Sequence, residues 1–214
     1  MIKSVSRNGV ILGGFALITT ALIGLTFLGT RDQIAKQQLA LLGETLSDVM
    51  PSKYYDNSLI EDCLWVSDPS LNANQSQRVY RARSAAQGAG LVLETTAPNG
   101  YSGNIKMLVG MLINGTVTGV RVLAHKETPG LGDKIDLRVS NWILSFTNQT
   151  VSAETNDVWA VKKDGGQFDQ FTGATITPRA VVNQVEKTVQ FGLENIAVLL
   201  AQQSNCSPAQ DVVQ

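Results

Sequence analysis

The chain contains 214 residues, with 17 Lys and Arg against 18 Asp and Glu and a formal net charge of −1. This length fits one medium-sized domain with an appendage. The balanced charge provides no basic field and aromatic residues make up only 6% of the chain, which excludes a nucleic-acid-binding protein. The single histidine, His125, is not accompanied by a cluster of cysteines and carboxylates, so we expect no bound transition metal.

The first distinct feature is an apolar run near the N-terminus. Residues 8–30 carry no charge, and residues 10–28 are almost entirely apolar. About 20 helical residues cross the hydrocarbon core of a bilayer, so we predict a transmembrane helix over residues 9–30. The alternative is a cleaved signal peptide, but its apolar region is usually shorter. No clear small-x-small cleavage site precedes Arg31, which favours a retained anchor.

The charges that flank this run predict its orientation. Lys3, Arg7 and the free amine precede the run without an acidic residue, whereas Arg31 is followed at once by Asp32. By the positive-inside rule, residues 1–8 lie in the cytoplasm and the bulk of the chain lies outside. In a Gram-negative cell, this arrangement describes a single-pass inner-membrane protein with its main domain in the periplasm.

A helical pattern continues after the apolar run and ends at Pro51. Its apolar face is formed by Leu39, Leu42, Leu46 and Val49. We interpret residues 31–51 as a stalk that holds the domain near the membrane. The alternative interpretation is a partner-binding helix.

The folded domain is predicted to cover residues 52–204, with a C-terminal tail over residues 205–214. Residues 54–74 are mixed and polar, and we expect them to be irregular. The two cysteines, Cys63 and Cys206, are not spaced as a metal site. They either form a disulfide in an oxidising compartment or remain as two unpaired thiols.

Four strand signals separated by short turns open the domain. We predict strands over residues 78–83, 90–96, 105–113 and 116–123. Asn114-Gly115 is the strongest two-residue hairpin signal, and further turns are predicted at Ala86-Gln87-Gly88 and Asn99-Gly100. Consecutive strands joined by short turns favour an antiparallel sheet.

The second half of the domain is predicted to be mainly helical. Residues 139–146 indicate a short amphipathic helix, and residues 158–162 indicate a further strand before a turn at Asp164-Gly165-Gly166. A long helix from Pro178 to about Gln202, with Thr177 as its N-cap, closes the domain. Strands segregated from helices predict an α+β fold, an antiparallel sheet with packed helices.

The segment Asp169-Gln170-Phe171-Thr172-Gly173-Ala174-Thr175 precedes this last helix. Gly173 frees the backbone and Ala174 adds little bulk, so the hydroxyl of Thr175 should be accessible. An anion near Thr175 would face the free amides of a helix start, where negative charge is favoured.

A second loop, residues 127–132, connects a predicted strand to the predicted short helix. Pro129-Gly130 indicates a tight turn, and Gly132 allows a close approach of the backbone. The chain contains no Gly-x-Gly-x-x-Gly or Gly-x-x-x-x-Gly-Lys segment and no nucleophile with its base, so we expect neither a dissociable dinucleotide nor hydrolysis.

The segment at residues 169–175 resembles the signal read by the periplasmic flavin transferase, which takes FMN from FAD and joins its phosphate to the last threonine. The resemblance extends over nearly the whole chain, from the N-terminal apolar run to the last helix, and its most specific parts also include residues 125–134 and 159–166. In this layout, the chain resembles the G subunit of the Rnf-type electron transport complex, also called the Rsx complex.

This resemblance implies a covalent FMN, held by a phosphoester at Thr175. It further implies that the cofactor is bound by the surrounding segment (Thr172, Gly173, Ala174, Thr177), by the second loop (Glu127, Thr128, Gly130, Leu131) and by Lys162 near the ring. Partners would be the other membrane subunits of the complex and, during maturation, the flavin transferase.

The implied function is electron transfer within a complex that couples redox flow to ion movement across the inner membrane. The chain would be an electron-carrying subunit rather than a self-contained enzyme. One alternative is the C subunit of a sodium-translocating NADH:quinone reductase. Another is an anchored periplasmic binding or scaffold module without a redox group.

Overall fold

The computed structural model describes residues 2–85, 87–151 and 158–206, with side chains from residue 5 onward. The predicted turn at Ala86 and most of the predicted tail, residues 207–214, lie outside these ranges. The chain begins with one continuous helix, α1 (Ile2–Val49). Its apolar part is long enough to cross a membrane and is not buried against the rest of the described chain.

The last turn of α1 belongs to the folded domain. Leu46, Val49 and Met50 are buried, and the Thr118 hydroxyl donates to the Val49 carbonyl at 2.7 Å. A Cβ at Gly119 would lie 3.0 Å from the same carbonyl oxygen, so glycine lets the helix approach the sheet backbone. The segment predicted as a stalk is therefore helical, and its end is packed on the sheet.

Five antiparallel strands form a single sheet in chain order. They are β1 (Cys63–Val66), β2 (Gln77–Ser84), β3 (Gln87–Gly100), β4 (Gly103–Leu112) and β5 (Val117–Ala124). The predicted α+β fold with an antiparallel sheet is confirmed. The predicted Asn114-Gly115 turn joins β4 to β5, with Gly115 at a φ of 81°.

Two features of the sheet differ from the prediction. β1 lies in the segment expected to be irregular, because its pairing with β2, which sets Cys63 opposite Tyr80, is not visible in a polar local sequence. The turn predicted at Asn99-Gly100 is also displaced, since β3 runs through Gly100. The chain instead reverses at Tyr101 and Ser102, and the next residue, Gly103, adopts a φ of 116°.

Side chains on the two faces of the sheet belong to two separate clusters. One face packs against α2 (Ile176–Ala201), whose buried side chains include Val181, Val185 and Val189. The other face packs against the end of α1, with Tyr80, Val92 and Leu108 in the shared cluster. The sheet is therefore covered by a helix on each face, and α2 is positioned by the larger core.

The segment between β5 and α2 consists mostly of short 3-10 helices and loops. The helix predicted over residues 139–146 is a 3-10 helix, Asn141–Phe146, whose first turn is capped by Ser140. The strand predicted over residues 158–162 is wrong, because Val161 makes only an isolated bridge to Phe168. Within this segment, Trp159 instead packs in an aromatic cluster, with its ring 5.2 Å from that of Phe168.

Cys63 and Cys206 form a disulfide, with their Cα atoms 5.6 Å apart. The residues before Cys206 cover the outer side of β1: the Trp65 amide donates to the Asn205 side chain at 2.7 Å, and the Ser204 hydroxyl donates to the Cys63 carbonyl at 2.8 Å. Covering an edge strand removes a template for pairing with other chains. The disulfide therefore fixes the residues around Cys206 on the edge of the sheet.

We expect the Cys206→Ser variant to lose about 2–4 kcal/mol of unfolding free energy, since the bond joins residues 143 apart and so restricts the unfolded chain. Denaturant unfolding of the purified chain measures this loss. A reductant should lower the stability of the unaltered chain and leave the variant unchanged. Equal stability of the unaltered chain with and without reductant would contradict the prediction.

Candidate functional site

The loop that precedes α2 is held on the core by aromatic side chains. The Trp142 indole Nε1 donates to the Asp169 carbonyl at 2.7 Å, and the rings of Trp142 and Phe171 meet edge to face, 5.1 Å apart. Phe171 bridges to Ala174, and Gly173 closes the turn with a φ of 78°. The backbone on the N-terminal side of Thr175 is thereby fixed.

Thr175 stands at the N-cap position of α2, and its side chain makes no capping hydrogen bond. The predicted N-cap, Thr177, is wrong, because Thr177 lies inside the first turn and is fully buried. The Thr175 hydroxyl is thus free of the helix, in a partly exposed position. The amides of Ile176 and Thr177 belong to the first turn, where no carbonyl four residues back accepts them.

A pocket of about 330 Å³ opens beside Thr175. Its walls come from the turn after β3, the loop after β5 and the start of α2. The lining residues are Tyr101, Glu127, Thr128, Leu131, Gly132, Gly173, Ala174, Thr175, Ile176 and Thr177. Seven of the ten residues predicted for the site are among them, so the fold brings the two predicted segments together.

The Glu127 carboxylate lies at the base of this pocket and is buried. Its Oε2 accepts a hydrogen bond from the Thr177 hydroxyl at 2.5 Å, and its Oε1 accepts one from the Ser102 amide at 2.9 Å. A buried charge is tolerated only when such donors compensate for its lost hydration. Glu127 therefore connects the loop after β5 to the start of α2 and to the turn after β3.

Two glycines give the second loop its shape. Gly130 adopts a φ of 78°, and the Thr128 carbonyl accepts the amides of Leu131 and Gly132, both at 3.2 Å. A Cβ at Gly132 would lie 2.7 Å from Glu127 Oε2. The close backbone approach predicted at Gly132 is therefore directed at the buried carboxylate, and any larger residue would disturb it.

His125 and Asp136 support this loop from behind. The Glu127 amide donates to His125 Nδ1 at 3.1 Å, and His125 Nε2 lies 3.8 Å from Asp136 Oδ2. A hydrogen bond from the Arg138 guanidinium holds the pKa of Asp136 below its ordinary value. Asp136 therefore stays ionised beside His125 at neutral pH. His125 is thus hydrogen-bonded behind the loop and does not line the pocket.

Three predicted site residues, Thr172, Gly130 and Lys162, do not line the pocket. The Lys162 ammonium lies 2.6 Å from the Asp169 carboxylate, and both side chains are largely exposed. Lys162 is thus engaged beside the loop rather than inside the cavity. The sequence analysis missed two of the lining residues. Tyr101 is an exposed aromatic residue in a turn, and Ile176 is an exposed apolar residue at the start of a helix.

Among the described residues, no group of three or more His, Cys, Asp and Glu side chains could hold a metal ion. The polar groups that face the pocket are instead hydroxyls, backbone amides and one carboxylate. This donor set suits hydrogen bonding to an organic ligand with an anionic group near the start of α2.

Residues 100–190 match the FMN-binding domain family, and residues 1–49 match the RnfG N-terminal region. The G subunit of the ion-translocating oxidoreductase complex of Vibrio cholerae is 52% identical over 191 residues, 89% of this chain and 91% of the relative. The G subunit of Pseudoalteromonas atlantica is 49% identical over 207 residues, 96% of each chain. That of Shewanella amazonensis is 49% identical over 198 residues, 92% of each chain.

The fold, the apolar helix and the matched domain define an FMN-binding domain carried on an N-terminal membrane helix. The chain belongs to the family of G subunits of ion-translocating oxidoreductase complexes. The resemblance drawn from the sequence is confirmed.

We expect the Thr177→Val variant to lose about 1.5–3 kcal/mol of unfolding free energy, because it removes a hydrogen bond to a buried charge without changing the shape of the side chain. Denaturant unfolding measures the loss. The control is Thr177→Ser, which keeps the hydroxyl and gives up one buried methyl group, at a cost of about 1 kcal/mol. A Val variant no less stable than the Ser variant would refute a structural role for the bond to Glu127.

Proposed function

We propose that this chain carries FMN as a phosphoester on Thr175 and passes electrons through it within an ion-translocating complex. The chain itself is a membrane-anchored FMN-binding component of such a complex. The observation that supports the attachment site is the Thr175 hydroxyl, which makes no capping hydrogen bond and lies beside a pocket. This pocket is formed within residues 100–190, the part that matches the FMN-binding domain.

The start of α2 favours a phosphate at this place. Because Pro178 has no N–H, the amides of Ile176 and Thr177 are the nearest helix donors. Negative charge at a helix N-terminus is stabilised by roughly 0.3–1 kcal/mol. This contribution orients a phosphate, whereas retention outside the cytoplasm would come from the covalent bond.

The pocket residues would bind and orient the ring. Thr128 offers a hydroxyl, while Leu131 offers an apolar surface. FMN supplies one- and two-electron chemistry when it is attached. The positive charge predicted near the ring, that of Lys162, is instead balanced by Asp169.

The chain is a single-pass inner-membrane protein, and we place its domain in the periplasm. Lys3 and Arg7 precede the apolar helix, which favours a cytoplasmic N-terminus. The disulfide between Cys63 and Cys206 agrees with an oxidising compartment. This orientation also puts Thr175 on the side of the membrane where the flavin transferase works.

The loop before Thr175 suits recognition by that transferase as a partner. The Asp169 side chain is 69% exposed, while its backbone carbonyl is held by Trp142. The other partners are the remaining membrane subunits of the complex. Neither alternative, the C subunit of the sodium-translocating reductase or a scaffold without a redox group, is favoured, because the matched relatives are named as the G subunit of an ion-translocating oxidoreductase complex.

Protein produced together with the flavin transferase should gain the mass of one FMN less one water. Trypsin releases residues 164–179 as one peptide, and fragmentation should assign the added mass to Thr175 rather than Thr172 or Thr177. The Thr175→Ala variant should be colourless and unmodified, while Thr177→Ser should keep the flavin. Colour that survives in Thr175→Ala, or mass assigned to another threonine, would reject the proposed attachment.

Protease added to intact spheroplasts should remove the domain and spare a membrane-embedded N-terminal fragment, because the domain faces outward. Inverted vesicles serve as the control, since their periplasmic face is enclosed and the domain should be protected. Immunoblotting with tags at both ends measures the fragments. Protection in spheroplasts together with cleavage in inverted vesicles would place the domain in the cytoplasm.

A further inference from the structure

Three exposed apolar side chains converge on the pocket beside Thr175. Tyr101, Leu131 and Ile176 are 69%, 45% and 47% exposed, and all three line this pocket. They come from the turn after β3, the loop after β5 and the start of α2, so the fold rather than the local sequence gathers them. Exposed apolar side chains grouped around a cavity are typical of a ligand-binding surface.

The backbone that carries Tyr101 is held against the base of the pocket. Tyr101 and Ser102 form the turn between β3 and β4, and the Ser102 amide donates to Glu127 Oε1 at 2.9 Å. A Cβ at Gly100 would lie 2.8 Å from the same oxygen. The turn is thus packed directly on the buried carboxylate, while the Tyr101 ring projects as an exposed surface.

We propose that Tyr101 stacks on the isoalloxazine ring of FMN and, with Leu131 and Ile176, forms the slot that receives it. This inference rests on the proposed attachment at Thr175. Two aromatic rings attract each other in offset stacked or edge-to-face geometry. Because the turn is already fixed by Glu127, little conformational freedom is lost when the ring packs. Tyr101 is a positioning residue that orients the ring and shields one face from water.

Flavin fluorescence reports this contact directly. A phenol in contact with an excited flavin donates one electron to it. The electron then returns to the phenol without emission of light, so fluorescence is lost and there is no net oxidation. A phenyl ring does not donate in this way. Tyr101→Phe therefore keeps the stacking surface and removes the quencher, whereas Tyr101→Ser removes both. The matched control is Tyr54→Phe, because Tyr54 packs against the cluster on the α1 face and does not line the pocket.

Each full-length variant is produced with the flavin transferase, and the flavin content is measured by absorbance and intact mass. We expect equal loading in all variants. Emission per flavin should rise several-fold in Tyr101→Phe and Tyr101→Ser and stay unchanged in Tyr54→Phe. Collisional quenching by iodide should increase only in Tyr101→Ser, since Phe still covers the ring.

Unchanged emission in both fully loaded Tyr101 variants would overturn the inference and leave the attachment at Thr175 intact. Reduced loading of these variants would also overturn it, because Tyr101 would then act in maturation rather than in ring binding. Unaltered protein without flavin on Thr175 would overturn this inference and the proposed function together.

Discussion

The site depends on one buried carboxylate. Glu127 accepts hydrogen bonds from the Thr177 hydroxyl and the Ser102 amide, so a single charge connects the start of α2, the loop after β5 and the turn after β3. Without these donors, a charge in this position would be strongly disfavoured. The three elements must therefore be placed together, and the pocket beside Thr175 exists only when the whole domain is folded.

The cationic side chains on either side of Thr175 in the chain are also paired with partners. The guanidinium of Arg179 lies 2.6 Å from the Asp164 carboxylate, and Lys162 is paired with Asp169. Both cations are thus balanced by neighbouring acids, so a phosphate on Thr175 would rely mainly on the helix amides. Such donors are fixed by the fold and need no reorganisation, which suits a site that must hold one group in one orientation.

The membrane helix and the domain are joined without a free linker. Because the last turn of α1 is buried under the sheet against Thr118 and Gly119, movement of the domain relative to this turn would require unpacking of a core cluster. At the opposite edge of the sheet, the disulfide to Cys206 holds the residues that cover β1. The packed end of α1 and the disulfide therefore belong to one cluster, which supports the sheet on the face opposite α2.

The sequence by itself determined the apolar helix, the antiparallel hairpins and the segment around Thr175, because these depend on local composition, turn residues and short motifs. It also indicated the second loop from its turn residues, and the resemblance strengthened the case for a binding role. Only the tertiary structure decided that β1 pairs with β2, that Thr177 is buried rather than a cap, that Lys162 binds Asp169 and that Tyr101 joins the pocket. Each of these features depends on contacts between separate segments of the folded chain. No local sequence pattern encodes such contacts.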